Sequence, residues 1–144
     1  MDGLQETWET LSDALSRLDE VKHVDLWNRN VEYMDEDAAW ARPAVFVEFG
    51  HINWTCTKED SFYRGYGTVR LHIVTDWQNG GQAGAWEVVD AVRRCVNDLN
   101  LPMACSGSDV NHDHEEILET IEEYAARFWI DLSFADRAEE GSGE

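Results

Sequence analysis

Positive charge is scarce in this chain of 144 residues: 11 Lys and Arg stand against 30 Asp and Glu, a formal net charge of −19. Affinity for duplex phosphates comes from cations that displace counterions, so an acidic balance of this size disfavours DNA wrapping. It remains compatible with a surface past which DNA slides without sticking, because like charges repel over about a Debye length. Cysteine is equally sparse. Cys56, Cys95 and Cys105 make an odd count with no C-x-x-C pair, a poor basis for a disulfide framework or a zinc knuckle, and they read as free thiols. No basic flank precedes an apolar run at the N-terminus, and no stretch approaches the roughly 18 apolar residues of a membrane span. The expectation is a soluble protein made in the cytoplasm, with no membrane contact.

Motifs of catalysis and phosphate binding are also missing. Gly65-x-Gly67 and Gly80-Gly81-x-x-Gly84 lack the Lys-Ser/Thr ending of a P-loop and the G-x-G-x-x-G run after a first strand, so they read as turns. Ser106-Gly107-Ser108 lacks the G-x-S-x-G pattern of a nucleophile elbow. Carboxylate pairs carry no information among so many acids. No internal repeat or linker interrupts the chain.

What is present is a core. Hydrophobic residues make up 43% of the chain, with 7 Trp, 5 Phe and 4 Tyr, far above a disordered composition. One domain of this length buries roughly 68–70% of its unfolded surface. Leu4, Trp8, Leu11, Leu15 and Leu18 recur at steps of three and four opposite Glu6, Glu9, Asp13 and Arg17, which predicts an amphipathic helix. Residues 24–33 (Val24-Asp25-Leu26-Trp27 to Tyr33) interleave β-branched or aromatic residues with polar ones and predict a strand. After the acidic stretch 34–37, Pro43 opens a second strand, Ala44 to Phe49. A third, Gly67 to Trp77, alternates Val69, Leu71 and Ile73 with Arg70 and His72.

Between these two strands, residues 55–66 read as a long binding loop carrying Phe62, Tyr63 and Tyr66, the candidate interface. Trp86, Val88, Val89, Val92, Val96 and Leu99 predict a second helix, stopped by Asn100 and Pro102. The stretch 115–123 is helical in composition, but Tyr124, Ala126, Phe128, Ile130, Leu132 and Phe134 alternate strictly and predict a long final strand.

The resulting order is helix, strand, strand, strand, helix, strand. It predicts an α+β fold: one mainly antiparallel four-stranded sheet with both helices packed on one face. Residues 1–135 form the single domain, and residues 136–144 are expected to be a disordered acidic tail. The opposite sheet face must meet water or a partner. Alternation cannot put Trp27, Trp54 and Trp129 all under the helices, so some aromatic surface faces outward and marks an interface.

The sharpest polar cluster is His112-Asp113-His114-Glu115-Glu116, where imidazole and carboxylate could ligate a divalent metal. No third His or Cys at ligand spacing completes a shell, and the segment reads as a solvated loop entering a strand. His72, on the polar side of its strand, reads as a hydrogen-bonded or exposed sheet histidine. Neither catalysis, cofactor nor metal is expected.

The element order, Val24-Asp25-Leu26-Trp27, the run Arg42 to Phe49, Gly67 to Val74, and Asp113-His114 before a long alternating strand together resemble the tail-terminator-like proteins of tailed phages and prophages, over about residues 4–134. The resemblance implies a structural protein of the virion tail: a ring, often of six copies, that caps the tail tube and joins it to the neck, with itself, tail-tube and neck proteins as partners and no catalytic residue. A net charge of −19 per copy opposes self-association, so the ring should be weak at low salt, the tail tube serving as template. Three other readings stand beside it. They are a head-closure or other neck protein, a small-ligand or metal-binding module built on residues 112–116, and an acidic DNA mimic that competes with DNA for a basic protein.

Overall fold

The computed structural model describes residues 3–33, 40–57 and 61–132. Along the chain it places α1 (Leu4–Ser16), β1 (His23–Leu26), a short 3-10 turn (Asn30–Tyr33), β2 (Ala44–Cys56), β3 (Phe62–Asp76), α2 (Gly81–Asp98), β4 (Met103–Asn111) and β5 (Ile117–Asp131). The fold is α+β with one sheet and two helices. The sheet has five strands in the order β1-β2-β3-β5-β4, however, and it is mixed, since β1 runs parallel to β2 while the other pairings are antiparallel.

The fifth strand and the shortened first strand, both departures from the predicted mainly antiparallel four-stranded sheet, have physical causes. β4 reads Met-Ala-Cys-Ser-Gly-Ser-Asp-Val-Asn, with neither the β-branched content nor the alternation that marks a strand. It is held at the sheet edge by its backbone ladder to β5. The first strand stops at Leu26, short of the expected Tyr33, because Arg29 takes a left-handed backbone (φ 51°) and the chain coils into the 3-10 turn. Trp27 still donates its backbone N–H to the Val47 carbonyl at 2.8 Å.

The expected aromatic loop is a hairpin. β2 and β3 continue pairing past the predicted strand ends until Cys56 faces Tyr63, so Phe62, Tyr63 and Tyr66 lie on β3. The last strand also reaches further back than its alternating part suggested: Ile117, Leu118, Glu119 and Thr120 are all buried within β5. Phe134, the acidic stretch 34–37 and the tail 136–144 lie outside the described residues.

Alternation sorts the core. Val45 and Val47 from β2, Val69, Leu71 and Ile73 from β3, and Tyr124, Ala126 and Phe128 from β5 face the helices, which contribute Leu11, Leu15, Val88, Val89, Val92 and Val96. Each Val, Leu, Ile or Phe among them contributes about 1.5–3 kcal/mol on full burial. Trp86, counted into the second helix's apolar stripe by spacing, is 60% exposed, while its neighbour Ala85 is buried. Gly80 and Gly81 take positive φ (91° and 60°) where the turn enters α2, Gly80 as its N-cap and Gly81 as its first residue, as their sequence punctuation predicts.

The opposite face divides in two. Beside β1, Phe46, Ala44, Val74 and Ile117 are covered by Val31, Trp27 and Trp40, forming a second small core from the chain itself. Trp54 sits on the helix side with its ring centroid 6.4 Å from that of Phe128, whereas Trp129, paired with Arg64, falls by alternation on the other side. Among the described residues no helix is long and apolar enough to cross a membrane.

A bulge in β2 places Gly50 and His51 between two paired positions, Phe49 with Val69 and Ile52 with Gly67. A Cβ on Gly67 would stand 2.6 Å from Ile52 Cγ1 and 2.8 Å from the His51 carbonyl oxygen, closer than packed atoms allow. Gly67→Ala is therefore expected to destabilise the fold by about 1–3 kcal/mol, read as a lower urea midpoint at unchanged slope.

Candidate functional site

Two buried polar clusters occupy opposite faces of the central strands. On the face away from the helices, β3 presents His72 between Glu48 of β2 and Glu119 of β5. His72 Nδ1 lies 2.5 Å from Glu119 Oε2 and Nε2 lies 2.8 Å from Glu48 Oε1. Asn111 of β4 donates from Nδ2 to Glu119 Oε1 at 2.9 Å. The Trp27 indole stacks flat on the imidazole, with centroids 3.7 Å apart and planes within 1°, leaving His72 only 4% exposed.

Strand register explains the assembly. Glu48 faces Arg70, and Arg70 faces Glu123, so the next row carries one cation between two anions at 3.9 and 3.7 Å. Burial alone would raise the Glu119 carboxyl. The hydrogen bonds from His72 and Asn111, with the charges of His72 and His114, outweigh it and hold the group below the ordinary carboxylate range.

On the helix face Glu122 is fully buried, 0% exposed. Its carboxylate accepts from Arg93 Nε of α2 and from the Ser108 hydroxyl of β4, while Arg93 also donates to Ser108 Oγ at 3.2 Å. The Glu122 hydrogen bond, opposed by burial and assisted by the Glu122 charge, keeps Arg93 protonated beyond its ordinary range. Next to it the buried Tyr124 hydroxyl has no hydrogen-bond partner among the described residues; burial first, then the nearby Cys105 and Glu122, pushes it up to about 12.

The chemistry open to these clusters is narrow. A general acid or base must come within hydrogen-bond reach of the proton it moves, and both His72 nitrogens are already engaged while Trp27 seals the ring face. Among the described residues Glu122 is bonded by Arg93 and Ser108, which occupy its carboxylate. Both clusters act as clasps: His72 ties β2, β3 and β5 to the Trp27 segment, and Arg93 ties α2 to the sheet.

The residues singled out from sequence are dispersed. His112 and Asp113 are exposed and His114 is half-buried on the connection between β4 and β5. Among the described residues no three His, Cys, Asp or Glu side chains converge as a metal shell requires. Phe62 and Tyr66 share one face of β3 by alternation, and Tyr63 falls on the other, so the aromatic trio is split. His72 is the hydrogen-bonded sheet histidine its position suggested. Its partners Glu48 and Glu119, and the Arg93–Glu122 pair, were missed, because one carboxylate among 30 carries no mark of burial and Glu119 and Glu122 lie in a stretch of helical composition.

No family model matches the chain. A formimidoylglutamase from Staphylococcus carnosus (strain TM300) is 32% identical over 107 residues, covering 70% of this chain and 33% of that protein. The chain thus spans about a third of the length of the curated relative it matches, and the likeness assigns no role to any residue described above.

Two measurements test the clasps. Because the Glu119 carboxyl is depressed in the fold, its contribution is present above its unfolded pKa of about 4.3 and is lost as pH falls through the lower folded value. Urea midpoints of Glu119→Gln are expected to lie below those of the wild type near neutrality and to converge with them in acid. Arg93→Met, which strands a buried carboxylate, is expected to cost toward the lower end of roughly 3–5 kcal/mol, since Arg93 is half exposed and water partly replaces it. The double variant Arg93→Met/Glu122→Leu should recover most of that loss.

Proposed function

We propose that this chain is a structural assembly subunit that works by associating with its own copies, in the manner of a phage tail terminator that closes a tail tube as a ring and joins it to the neck. One observation carries the reading. Beyond the bulge, the far half of the sheet is largely bare on the face away from the helices, while Gly65, Ala126 and Phe128 stay buried on the other: Asn53, Trp54, Thr55 and Cys56 at the end of β2 are exposed in succession, as are Arg64 and Tyr66 across the hairpin and Ala125 and Arg127 on β5. Trp54 is 38% and Tyr66 58% exposed. A strand normally hides at least one face, and large aromatics left outside mark contact surfaces.

Two further features agree. Among the described residues the buried ionisable groups His72, Glu119 and Glu122 are engaged in clasps that hold the fold, which leaves the surface as the working part. Both sheet edges, β1 and β4, carry unpaired backbone groups that a neighbour can use. On this reading the negative surface lines a passage for DNA without adhesion.

Multi-angle light scattering across salt and protein concentration, followed by electron microscopy, tests the proposal. The mass is expected to rise above the 16.5 kDa protomer as salt shortens the Debye length below about 10 Å, and the larger species should be closed rings. A protomer that stays single at every concentration and ionic strength overturns it.

A further inference from the structure

The cations of this acidic chain are unevenly satisfied. Arg17, Arg29, Arg42, Arg70, Arg93 and Arg94 each lie within ion-pair distance of a carboxylate of their own chain. Arg64 and Arg127 have no such partner among the described residues, although acids outnumber bases nearly threefold (30 against 11). The two stand together. Tyr66 pairs with Arg127 and Arg64 with Trp129 across β3 and β5, and alternation puts all four on the face away from the helices, in its uncovered half. The Arg127 guanidinium lies 5.1 Å from the Tyr66 ring centroid. Beside them a shallow groove of about 380 Å³ runs along Pro102, Met103, Ala104 and Ala125. Arginine, tyrosine and methionine are the residues that interface centres favour.

The complementary surface lies at the other end of the same strand pair. Asp113 and Glu115, on the connection into β5, are exposed and have no ion-pair partner among the described residues. From Ile117 to Arg127 the strand rises about 33 Å, so the two arginines cannot reach these carboxylates within one copy. A second copy can supply them.

We propose that copies of this chain meet head to tail, the Arg64, Tyr66 and Arg127 patch of one docking on the Asp113 and Glu115 end of the next. The inference rests on the self-assembly reading above and names its contact. Unlike surfaces on opposite ends make a heterologous contact, which closes into a ring when the rotation per copy divides a full turn. Arg–carboxylate bonds across it are directional and neutralise part of the −19 charge where repulsion between copies is greatest.

The test uses the full chain in two charge-reversed forms, Arg64→Glu/Arg127→Glu and Asp113→Lys/Glu115→Lys, with circular dichroism to check folding and light scattering to read mass. Each alone is expected to associate at least about tenfold more weakly than the wild type. An equimolar mixture should regain wild-type assembly, because the reversed ends now match each other. Should a reversed form fail to fold, Arg64→Gln/Arg127→Gln removes the charge without reversing it and should still weaken association. Reversed forms that assemble as the wild type does, or a folded mixture that stays single, overturn the contact while leaving self-assembly standing. A wild type that never associates overturns both.

Discussion

The antiparallel ladder between β3 and β5 runs residue for residue from Phe62 opposite Asp131 to Asp76 opposite Ile117, and the other elements are fixed by reference to it. Its helix-side residues set the width of the core that α1 and α2 cover, and its other side carries His72 and the row of Arg70 between two glutamates. β2 joins on one flank and β4 on the other. A slip of one residue would exchange the two faces, turning Leu71 and Ile73 away from the helices and His72 into the apolar layer.

That constraint explains why charged groups sit so deep in so acidic a protein. Glu119 and Glu122 alternate onto opposite faces of one strand, and a carboxylate leaves water at tolerable cost only with donors arranged around it. β3 and β4 supply them on one face, through His72 and Asn111; α2 and β4 supply them on the other, through Arg93 and Ser108. A satisfied pair on each face pins the register more sharply than apolar contacts do, since valines tolerate sliding that a bonded carboxylate does not.

Legibility from sequence followed the same line. Elements with strong periodicity were readable: the stripe through Leu11 and Leu15, the run through Val88, Val92 and Val96, and the alternation of Val69, Leu71 and Ile73. Elements that depend on a neighbour were not. β4 is small and polar and exists by pairing with β5. The strand character of residues 117–123 comes from partners that satisfy their glutamates. The end of β2 and the start of β3 looked like a loop because their residues lack the apolar alternation of a covered sheet, for the same reason that many of them are exposed. Of the polar residues, His72 could be placed on a strand face, but its two carboxylates and its Trp27 cover come from segments far apart in sequence, which single-chain patterning cannot join.

The position of β5 has a bearing on how the molecule is made. It is the last described strand to leave the ribosome, yet it lies inside the sheet, between β3 and β4. Until it emerges, the nascent chain holds a β2–β3 hairpin with one long side unmatched and a β4 with nothing to pair to, and both helices lack the floor provided by Tyr124 and Phe128. Folding is thereby deferred until β5 has been made, and the growing polypeptide passes through a sticky, half-built stage in which its heavy negative charge keeps neighbouring nascent chains apart.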